Sequence, residues 1–465
     1  MLVPTPQYKG ERVVVMGLGK SGLSAATSLR ASGADVRVWD DKDAAVNDMV
    51  AKGFAKLDDQ KLEGVKALVW SPGVPHTWPR KHPLATQARA KNIPITCDVD
   101  LLAEAQSAAT FVGITGTNGK STTTSLVAHL LQHAGRKTAV GGNLGTPALD
   151  LDTLGSDGTY VLELSSYQLE LVPHLACQVA VLLNITPDHL DRHGGMYGYI
   201  AAKRRIFEHQ REPRVAVIGI DDEPSVALYN ALRGDTQRRV WPISSQKEAP
   251  GGVYVADGML IDATSGKAVN VLDLRTVARL PGAHNWQNAA AATAVARALN
   301  IPHDVIAAGI KTFPGLKHRQ ELVGVVDNTA FVNDSKATNA DATEKALVCY
   351  DNIYWILGGQ AKEGGIAPLA PLFSRIRHAF LIGEAAEQFA AVLQGRVPFT
   401  HFHQDMGAAI ENAGRMALAD KLPGATVLLS PACASWDMFK SFEDRGDQFR
   451  AHVQRLWPQT KGMRS

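Results

Sequence analysis

Two kinds of apolar pattern alternate along the chain. Short runs of β-branched and apolar residues read as buried strands, and longer stretches with apolar positions every three or four residues read as helices. Residues 12–16 (RVVVM), 35–39 and 67–70 predict strands, and residues 24–32 predict a helix. GLGKSG follows the first strand, and the breaker cluster Ser71-Pro72-Gly73 ends the third. This is the rhythm of an open parallel α/β sheet. A second unit opens with a helical pattern over 99–106, a strand over 110–114, the turn TGTNGKS and a helix over 122–134. Strands are predicted at 160–164 and 179–184, and an antiparallel excursion in the Val-, Gly- and Asp-rich residues 240–274. A further helix opens near Asn285. In a third unit, residues 330–333, 353–357, 378–382 and 425–429 predict strands. Boundaries near Asp98 and Pro314 divide the chain into three α/β domains, residues 1–98, 99–314 and 315–465.

The length of 465 residues fits about three domains. The balance of 48 basic against 46 acidic residues argues against a nucleic-acid coat, so no nucleic-acid partner is expected. Four scattered cysteines (Cys97, Cys177, Cys349, Cys433) lack metal-ligand spacing and point to a reducing cytoplasm. No apolar run approaches the ~20 residues of a membrane-spanning helix, and no signal peptide is read at the start. The expectation is a cytoplasmic protein without membrane insertion, and a monomer.

The strongest chemical signal is GITGTNGKSTTT, with glycines at 113, 116 and 119 followed by Lys120 and Ser121. A strand feeds a glycine-rich turn that feeds a helix, so backbone N–H groups and a helix start can hold phosphate oxygens. Lys120 is placed to reach β- and γ-phosphates, and the Ser121 hydroxyl to bind Mg²⁺. Ile114 breaks the strict G-x-x-x-x-G-K-[ST] pattern, but a nucleotide triphosphate site remains the better reading than a solvated lysine on a turn. Glu163 ends an apolar strand, where the carboxyl edge of such a sheet binds ligands, and is a candidate for Mg²⁺ or for a plain ion pair. His189, in ITPDHLDRHG, is a candidate for a metal or a substrate carboxylate, with Asp188 and Asp191 as neighbouring alternatives. On composition alone, Lys203 in AAKRRIF reads as part of a solvated helix face.

Near the start, Gly17, Gly19 and Gly22 form G-x-G-x-x-G between a strand and a helix, and Asp40 closes the next strand. The geometry suits a pyrophosphate and a ribose. By itself it admits an NAD-dependent oxidoreductase, a UDP-linked substrate or a loop that only shapes the fold. An ATP-driven enzyme with a nucleotide-linked substrate uses both glycine loops, whereas a dehydrogenase has no use for the second.

Taken in order, GITGTNGKSTTT, LELSSYQLE, LNITPDHLDRH, AAKRRIF, LPGAHNWQNAAAA, HRQELV, FVNDSKATN and SPACASWDMFKSFEDRGDQF resemble the bacterial Mur ligase family over essentially the whole chain. The last two segments are most similar to its D-glutamate-adding members. The Asp-Asn-Pro-Arg motif of the diaminopimelate- or lysine-adding members is not seen. The resemblance implies an N-terminal Rossmann-like domain for the UDP group, a central P-loop-type ATPase domain and a C-terminal Rossmann-like domain for the amino acid. It implies ATP-dependent addition of D-glutamate to UDP-N-acetylmuramoyl-L-alanine with ATP and two Mg²⁺ ions. By motif, Gly116, Thr117, Asn118, Gly119, Lys120, Ser121, Thr122, Asn285, Asn288, Arg319 and Asp334 match ATP contacts. Ser121, Glu163 and His189 match metal ligands, and Lys203 matches a lysine that is carbamylated in the family, which turns an ammonium into a carboxylate-like ligand. Lys120, Glu163, His189 and Lys203 are thus the expected catalytic set. Lys20, Ser21, Asp40, Asp41, Lys42, Ser71 and Gly73 fall at UDP-contacting places, and Asn143 and Ser165 at the muramoyl-alanine end. Thr338, Lys362, Ser435 and Phe442 match the D-glutamate pocket, where Trp436 replaces a residue that is often a smaller aliphatic one.

Overall fold

The structure, a computed structural model, describes residues 2–58, 61–143, 145–361 and 364–458. Three sheets organise the chain. The first is β1 (Arg12–Met16), β2 (Asp35–Trp39), β3 (Ala55–Lys56), β4 (Val65–Trp70) and β5 (Ile95–Thr96), in the order β3-β2-β1-β4-β5 with every pairing parallel. The order in which strands are laid down reverses between β1 and β4. This brings the turn after β1 beside the turn after β4, the crevice where such sheets bind ligands. The helix after β1 runs over Lys20–Ala31, four residues earlier than its apolar pattern suggests. The first turn, Lys20 to Leu23, has a single apolar side chain and so shows no periodicity. Gly22 lies in this turn, and a Cβ there would lie 1.9 Å from the Gly17 carbonyl oxygen.

The second sheet has nine strands: β6 (Thr110–Thr115), β7 (Thr138–Gly142), β8 (Thr159–Glu163), β9 (Val179–Leu182), β10 (Val215–Gly219), β11 (Arg239–Ser244), β12 (Val253–Ala256), β13 (Met259–Asp262) and β14 (Val269–Asp273). β7, β8, β6, β9, β10, β11 and β12 are parallel neighbours in that order, and β13 and β14 close the edge antiparallel. The predicted excursion is therefore half right: β11 and β12 still run parallel, and the reversal starts at β13. β6, β8 and β9 are buried throughout apart from the half-buried Thr110 at the start of β6, as expected for parallel strands covered on both faces.

The third sheet is β15 (Glu321–Val326), β16 (Thr329–Asn333), β17 (Ile353–Gly358), β18 (Ile376–Ile382), β19 (Phe399–His403) and β20 (Thr426–Leu429), in the order β15-β16-β20-β17-β18-β19. Only β15 is antiparallel to its neighbour. Alternate residues of β17 divide between two cores: Trp355 and Leu357 pack with Phe389 and Leu393, while Tyr354 and Ile356 pack with Phe449 and Trp457.

By compactness the chain forms two units, residues 1–274 with 285–312, and residues 275–284 with 313–465. The first two sheets lie in the first unit and share one core that includes Val13, Leu29, Leu101, Leu149 and Tyr160. Val3 N–H donates to the Leu149 carbonyl at 3.0 Å, and Ser24 Oγ donates to Asp150 Oδ1 at 2.7 Å, across the same junction. No described helix is long and apolar enough to cross a membrane.

Candidate active site

The phosphate loop leaves β6 at Gly116 and enters the helix Lys120–His133 with Gly119 as its N-cap. Both glycines have positive φ, 156° and 82°. A Cβ on Gly119 would lie 2.3 Å from Asn288 Oδ1, so the loop closes directly on the helix Ala283–Ala298. Asn288 is buried, accepts from Thr123 Oγ1 at 3.1 Å and donates to Asn285 Oδ1 at 3.2 Å. The loop is also held from β9. Thr117 N–H donates to the Asn184 carbonyl at 2.9 Å, and Asn118 N–H donates to Asn184 Oδ1 at 2.8 Å. Ser121 and Thr122 are buried in the first helical turn. Lys120 Nζ donates to the carbonyls of Gly116 and Thr117 at 2.9 and 2.8 Å.

Glu163 ends β8 as predicted and is 3% exposed. Its Oε1 accepts from Asn143 Nδ2 at 2.7 Å, and its buried Oε2 has no hydrogen-bond partner. A buried carboxylate oxygen left open beside a phosphate loop is what a divalent cation requires. Lys203 contradicts the solvated-face reading. It is 1% exposed, whereas its neighbour Arg204 is exposed. Helix Met196–Arg204 turns one side inward, and a run of three cations gives no sign of which side that is. Lys203 Nζ donates to the Gly116 carbonyl at 2.8 Å and lies 4.6 Å from the Tyr199 ring centre. Burial, and then the charge of Lys120, hold its pKa well below that of an ordinary lysine. Among the described residues no hydrogen bond or ion pair joins His189 to these groups. It is exposed, has φ 51°, tilts against Tyr167 at 5.2 Å and faces Asp188 at 3.4 Å. Among the described residues no three of His, Cys, Asp and Glu converge to hold a metal, so the fit rests on the open Glu163 oxygen with the Ser121 hydroxyl.

In the first sheet, Asp40 accepts from Leu18 N–H at 2.7 Å and from Lys42 N–H at 2.9 Å, so it braces the glycine turn as well as facing the crevice. Asp41 pairs with His82 Nε2 at 3.1 Å. Lys20, Lys42 and Gly73 are exposed, and Ser21 and Ser71 half-buried. Ser71 reaches the turn after β1, where a Cβ on Gly17 would lie 2.6 Å from Ser71 Cβ. Asn143 follows β7, and its N–H donates to the Glu163 carbonyl at 2.9 Å. Ser165 caps the short helix Ser166–Leu169 in a reciprocal box with Gln168, which occupies its hydroxyl.

In the second unit, Arg319 lies between His318 and Gln320, both at positive φ (63° and 42°), and its buried Nε has no partner. Asp334 accepts from Ser430 Oγ at 2.8 Å and from Gln320 N–H at 3.1 Å, and burial pushes its carboxyl up to about 7. Ser335 Oγ donates to the Phe442 carbonyl at 2.8 Å, and the buried Arg445 donates to Ser335 and to the Cys433 and Ala434 carbonyls. These bonds gather the segments that carry Thr338, Ser435 and Phe442. Trp436 is 68% exposed. Lys362 lies outside the described residues.

Asn184, Tyr199 and Gln287 are not singled out by the sequence. Asn184 bonds the loop three times, Tyr199 OH meets Thr117 Oγ1 at 3.0 Å, and Gln287 joins Asn184 to Asp221. The one available signal is a polar residue, Asn184, two positions past the buried strand β9.

Comparison with known proteins agrees with this geometry. The chain matches the models of the Mur ligase MurD-like N-terminal domain over residues 11–97, the Mur ligase middle domain over 114–296 and the Mur ligase glutamate ligase domain over 318–433. It is 54% identical over 461 residues to the UDP-N-acetylmuramoylalanine–D-glutamate ligase of Rhodospirillum rubrum, covering 97% of this chain and 96% of that one. It is 56% identical over 457 residues to the protein of the same name from Paramagnetospirillum magneticum, covering 97% and 98%. The fold matches the solved UDP-N-acetylmuramate-alanine ligase of Thermotoga maritima with TM-score 0.56 at 16% identity, over 97% of this chain and 100% of that one. The three domain matches and the near-full-length identity place the chain in the Mur ligase family, among its UDP-N-acetylmuramoylalanine–D-glutamate ligases.

Proposed function

We propose that the protein joins the amine of D-glutamate to the alanine carboxylate of UDP-N-acetylmuramoyl-L-alanine, with conversion of ATP to ADP and phosphate, in peptidoglycan precursor synthesis. The observation that carries this reading is the half-buried Lys120 with the buried Glu163 and Lys203 around a glycine loop, in a chain about half identical to ligases of that name. A carboxylate does not acylate an amine unless its oxygen is made a leaving group. The γ-phosphoryl group passes to the carboxylate oxygen and ADP leaves. The neutral amine of D-glutamate then adds to the acyl carbon, and the tetrahedral intermediate expels phosphate as a proton leaves the nitrogen. Lys120 and the loop N–H groups hold the phosphates and offset their charge as it moves.

Ser121, Glu163, His189 and carbamylated Lys203 are the residues we assign to Mg²⁺, with two ions expected. Bound there, the metal neutralises phosphate charge and orients the carboxylate. The neutral amine of Lys203 is the form that adds to CO₂ with loss of a proton. We assign Gly116, Thr117, Asn118, Gly119, Thr122, Asn285, Asn288, Arg319 and Asp334 to ATP. Lys20, Ser21, Asp40, Asp41, Lys42, Ser71, Gly73, Asn143 and Ser165 are assigned to the UDP-linked substrate, and Thr338, Lys362, Ser435 and Phe442 to D-glutamate. The division at 98/99 and 314/315, a cytoplasmic location, a monomeric state and a contribution to cell shape and division belong to the same proposal.

The test is phosphate release with ATP, Mg²⁺, UDP-N-acetylmuramoyl-L-alanine and D-glutamate, each omitted in turn. Release that needs all four and ignores L-glutamate is expected. Release with another amino acid moves the specificity, and nicotinamide turnover without ATP overturns the ligase.

A further inference from the structure

One buried cluster in the first unit takes no part in the chemistry above. Glu170 follows the short helix Ser166–Leu169. Its Oε1 accepts from His193 Nδ1 at 2.8 Å, its Oε2 from His76 Nε2 at 3.0 Å, and Arg192 Nη1 approaches Oε2 at 3.5 Å. His76 Nδ1 lies 2.6 Å from Arg89 Nη2. A guanidinium only donates, so Nδ1 accepts and the ring carries its proton on Nε2, aimed at Glu170. Burial would raise the Glu170 pKa, but the hydrogen bonds from His193 and His76 outweigh it and draw the carboxyl down to about 2. The cluster therefore holds a half-buried carboxylate between two buried imidazoles on different segments.

Those segments matter. His76 belongs to residues 71–82, the stretch after β4 that begins with Ser71 and Gly73. The same stretch is held again where Arg192 Nη2 donates to the Val74 carbonyl at 3.4 Å, and where Trp78 covers Gly194 so closely that a Cβ there would lie 2.8 Å from Trp78 Cε2. His193 ends the helix Leu190–His193, just beyond His189, and its ring lies 5.4 Å from that of Tyr199. Tyr199 in turn bonds Thr117 of the phosphate loop. Contacts thus run unbroken from the crevice of the first sheet to the phosphate loop of the second.

We propose that Glu170, bridging His76 and His193, is a positioning residue that locks residues 71–82 against the phosphate-loop sheet and so sets the carboxylate of the UDP-linked substrate in register with the nucleotide. This rests on the proposed function. Ser166 Oγ lies 2.9 Å from His193 Nε2, which gives the hydroxyl–imidazole–carboxylate order of an activated nucleophile. However, the His193 side chain is wholly enclosed and Glu170 is shared with His76, so the order serves here as a brace.

The experiment compares His76→Phe, which keeps a ring but loses the donor, with His76→Gln, which keeps a donor. His76→Phe is expected to lower kcat/KM for the UDP-linked substrate about 10- to 100-fold, the scale of a misplacement near 1 Å, with KM for D-glutamate and nucleotide binding within about twofold. His76→Gln is expected to recover most of the loss. Hydrogen–deuterium exchange on the free protein is the second readout. Residues 71–82 exchange faster in His76→Phe and in Glu170→Gln than in wild type, whether or not the protein is a ligase. A wild type inactive in the omission assay would defeat the functional reading while leaving the exchange result to decide the brace. Unchanged exchange, an equal loss for all three substrates, or labelling of Ser166 by a fluorophosphonate would each overturn the brace.

Discussion

Gly119→Ala tests how the phosphate loop is built. Gly119 sits at φ 82°, and its added Cβ would lie 2.3 Å from Asn288 Oδ1. Two costs follow. Left-handed backbone at an L-residue costs about 1–2 kcal/mol. Asn288 is 2% exposed, and moving it away breaks its bonds to Thr123 and Asn285. Stranding buried polar atoms in that way costs about 1–3 kcal/mol. The sum, about 2–5 kcal/mol, is a large fraction of the ~5–15 kcal/mol that holds a typical domain together. At roughly 2–4 °C per kcal/mol, the melting temperature falls by about 4–20 °C. The loop that should cradle the phosphates is displaced at the same time, so nucleotide affinity falls with stability. Thermal melts followed by circular dichroism, and titration with a non-hydrolysable ATP analogue, measure both effects. Adding Asn288→Ala removes the atom that is struck, so the double variant should recover about 0.5–3 kcal/mol relative to the sum of the single changes. A Gly119→Ala protein that melts and binds nucleotide like wild type would refute the reasoning, because neither the backbone nor the contact would then be what the loop requires.

Glu163→Gln keeps the acceptor for Asn143 and loses the charge on the open oxygen, so it should melt like wild type while turnover falls at least about 100-fold; equal turnover would remove Glu163 from the metal site. Lys203→Ala should be inactive and regain activity with short carboxylic acids, and failure of every such acid to restore turnover would leave the carbamate without support. ¹³C NMR of protein equilibrated with labelled bicarbonate should show a carbamate signal that weakens in Lys120→Met; undiminished occupancy would count against the coupling of the two lysines. Asp334 binds its proton more tightly folded (about 7) than unfolded (3.8), so its contribution to stability is full below about pH 4 and is lost as pH rises to about 7. Melts of wild type and Asp334→Asn across that window should diverge toward neutral pH, with the variant gaining; parallel curves would refute the shift.

The strands were legible because parallel strands buried on both faces are continuous apolar runs. β1, β6, β8 and β9 fall within two residues of their patterns. Glycine loops after two of them were legible for the same reason, since a strand fixes where a loop must start. Glu163 was readable as a charge at the end of such a run. Lys203 was not, because its meaning depends on which side of a helix faces inward, and flanking arginines hide that side. Asn184, Tyr199 and Gln287 were missed because each acts through a partner remote in sequence. His76 and Glu170 are 94 residues apart, and no local pattern announces a pair of that kind. Within the first sheet, Asp40 was readable as an acid just past β2, but its bond to Leu18 N–H is a bracing duty that spacing alone does not reveal.

The burial of Lys203 gains its meaning from Lys120. Both side chains donate to the same Gly116 carbonyl oxygen, at 2.8 and 2.9 Å, so their nitrogens are no more than about 6 Å apart. Two full positive charges at that separation would repel by about 3 kcal/mol at an effective dielectric constant of 20. Burial already disfavours charge on Lys203, and this repulsion acts in the same sense, so Lys203 is the member of the pair that gives up its proton. A neutral amine is what adds to CO₂, and the product is an anion. Carbamylation, as proposed above, would exchange a cation that repels Lys120 for an anion that attracts it, and would add oxygen donors beside Glu163. An encoded aspartate or glutamate at position 203 would carry its charge on a shorter side chain, and lysine lengthened by a carbamate brings the same charge farther from the helix. The buried lysine of an apparently solvated KRR run and the phosphate-loop lysine act in this way as one electrostatic unit. Removing either is expected to cost more than the loss of its own contacts.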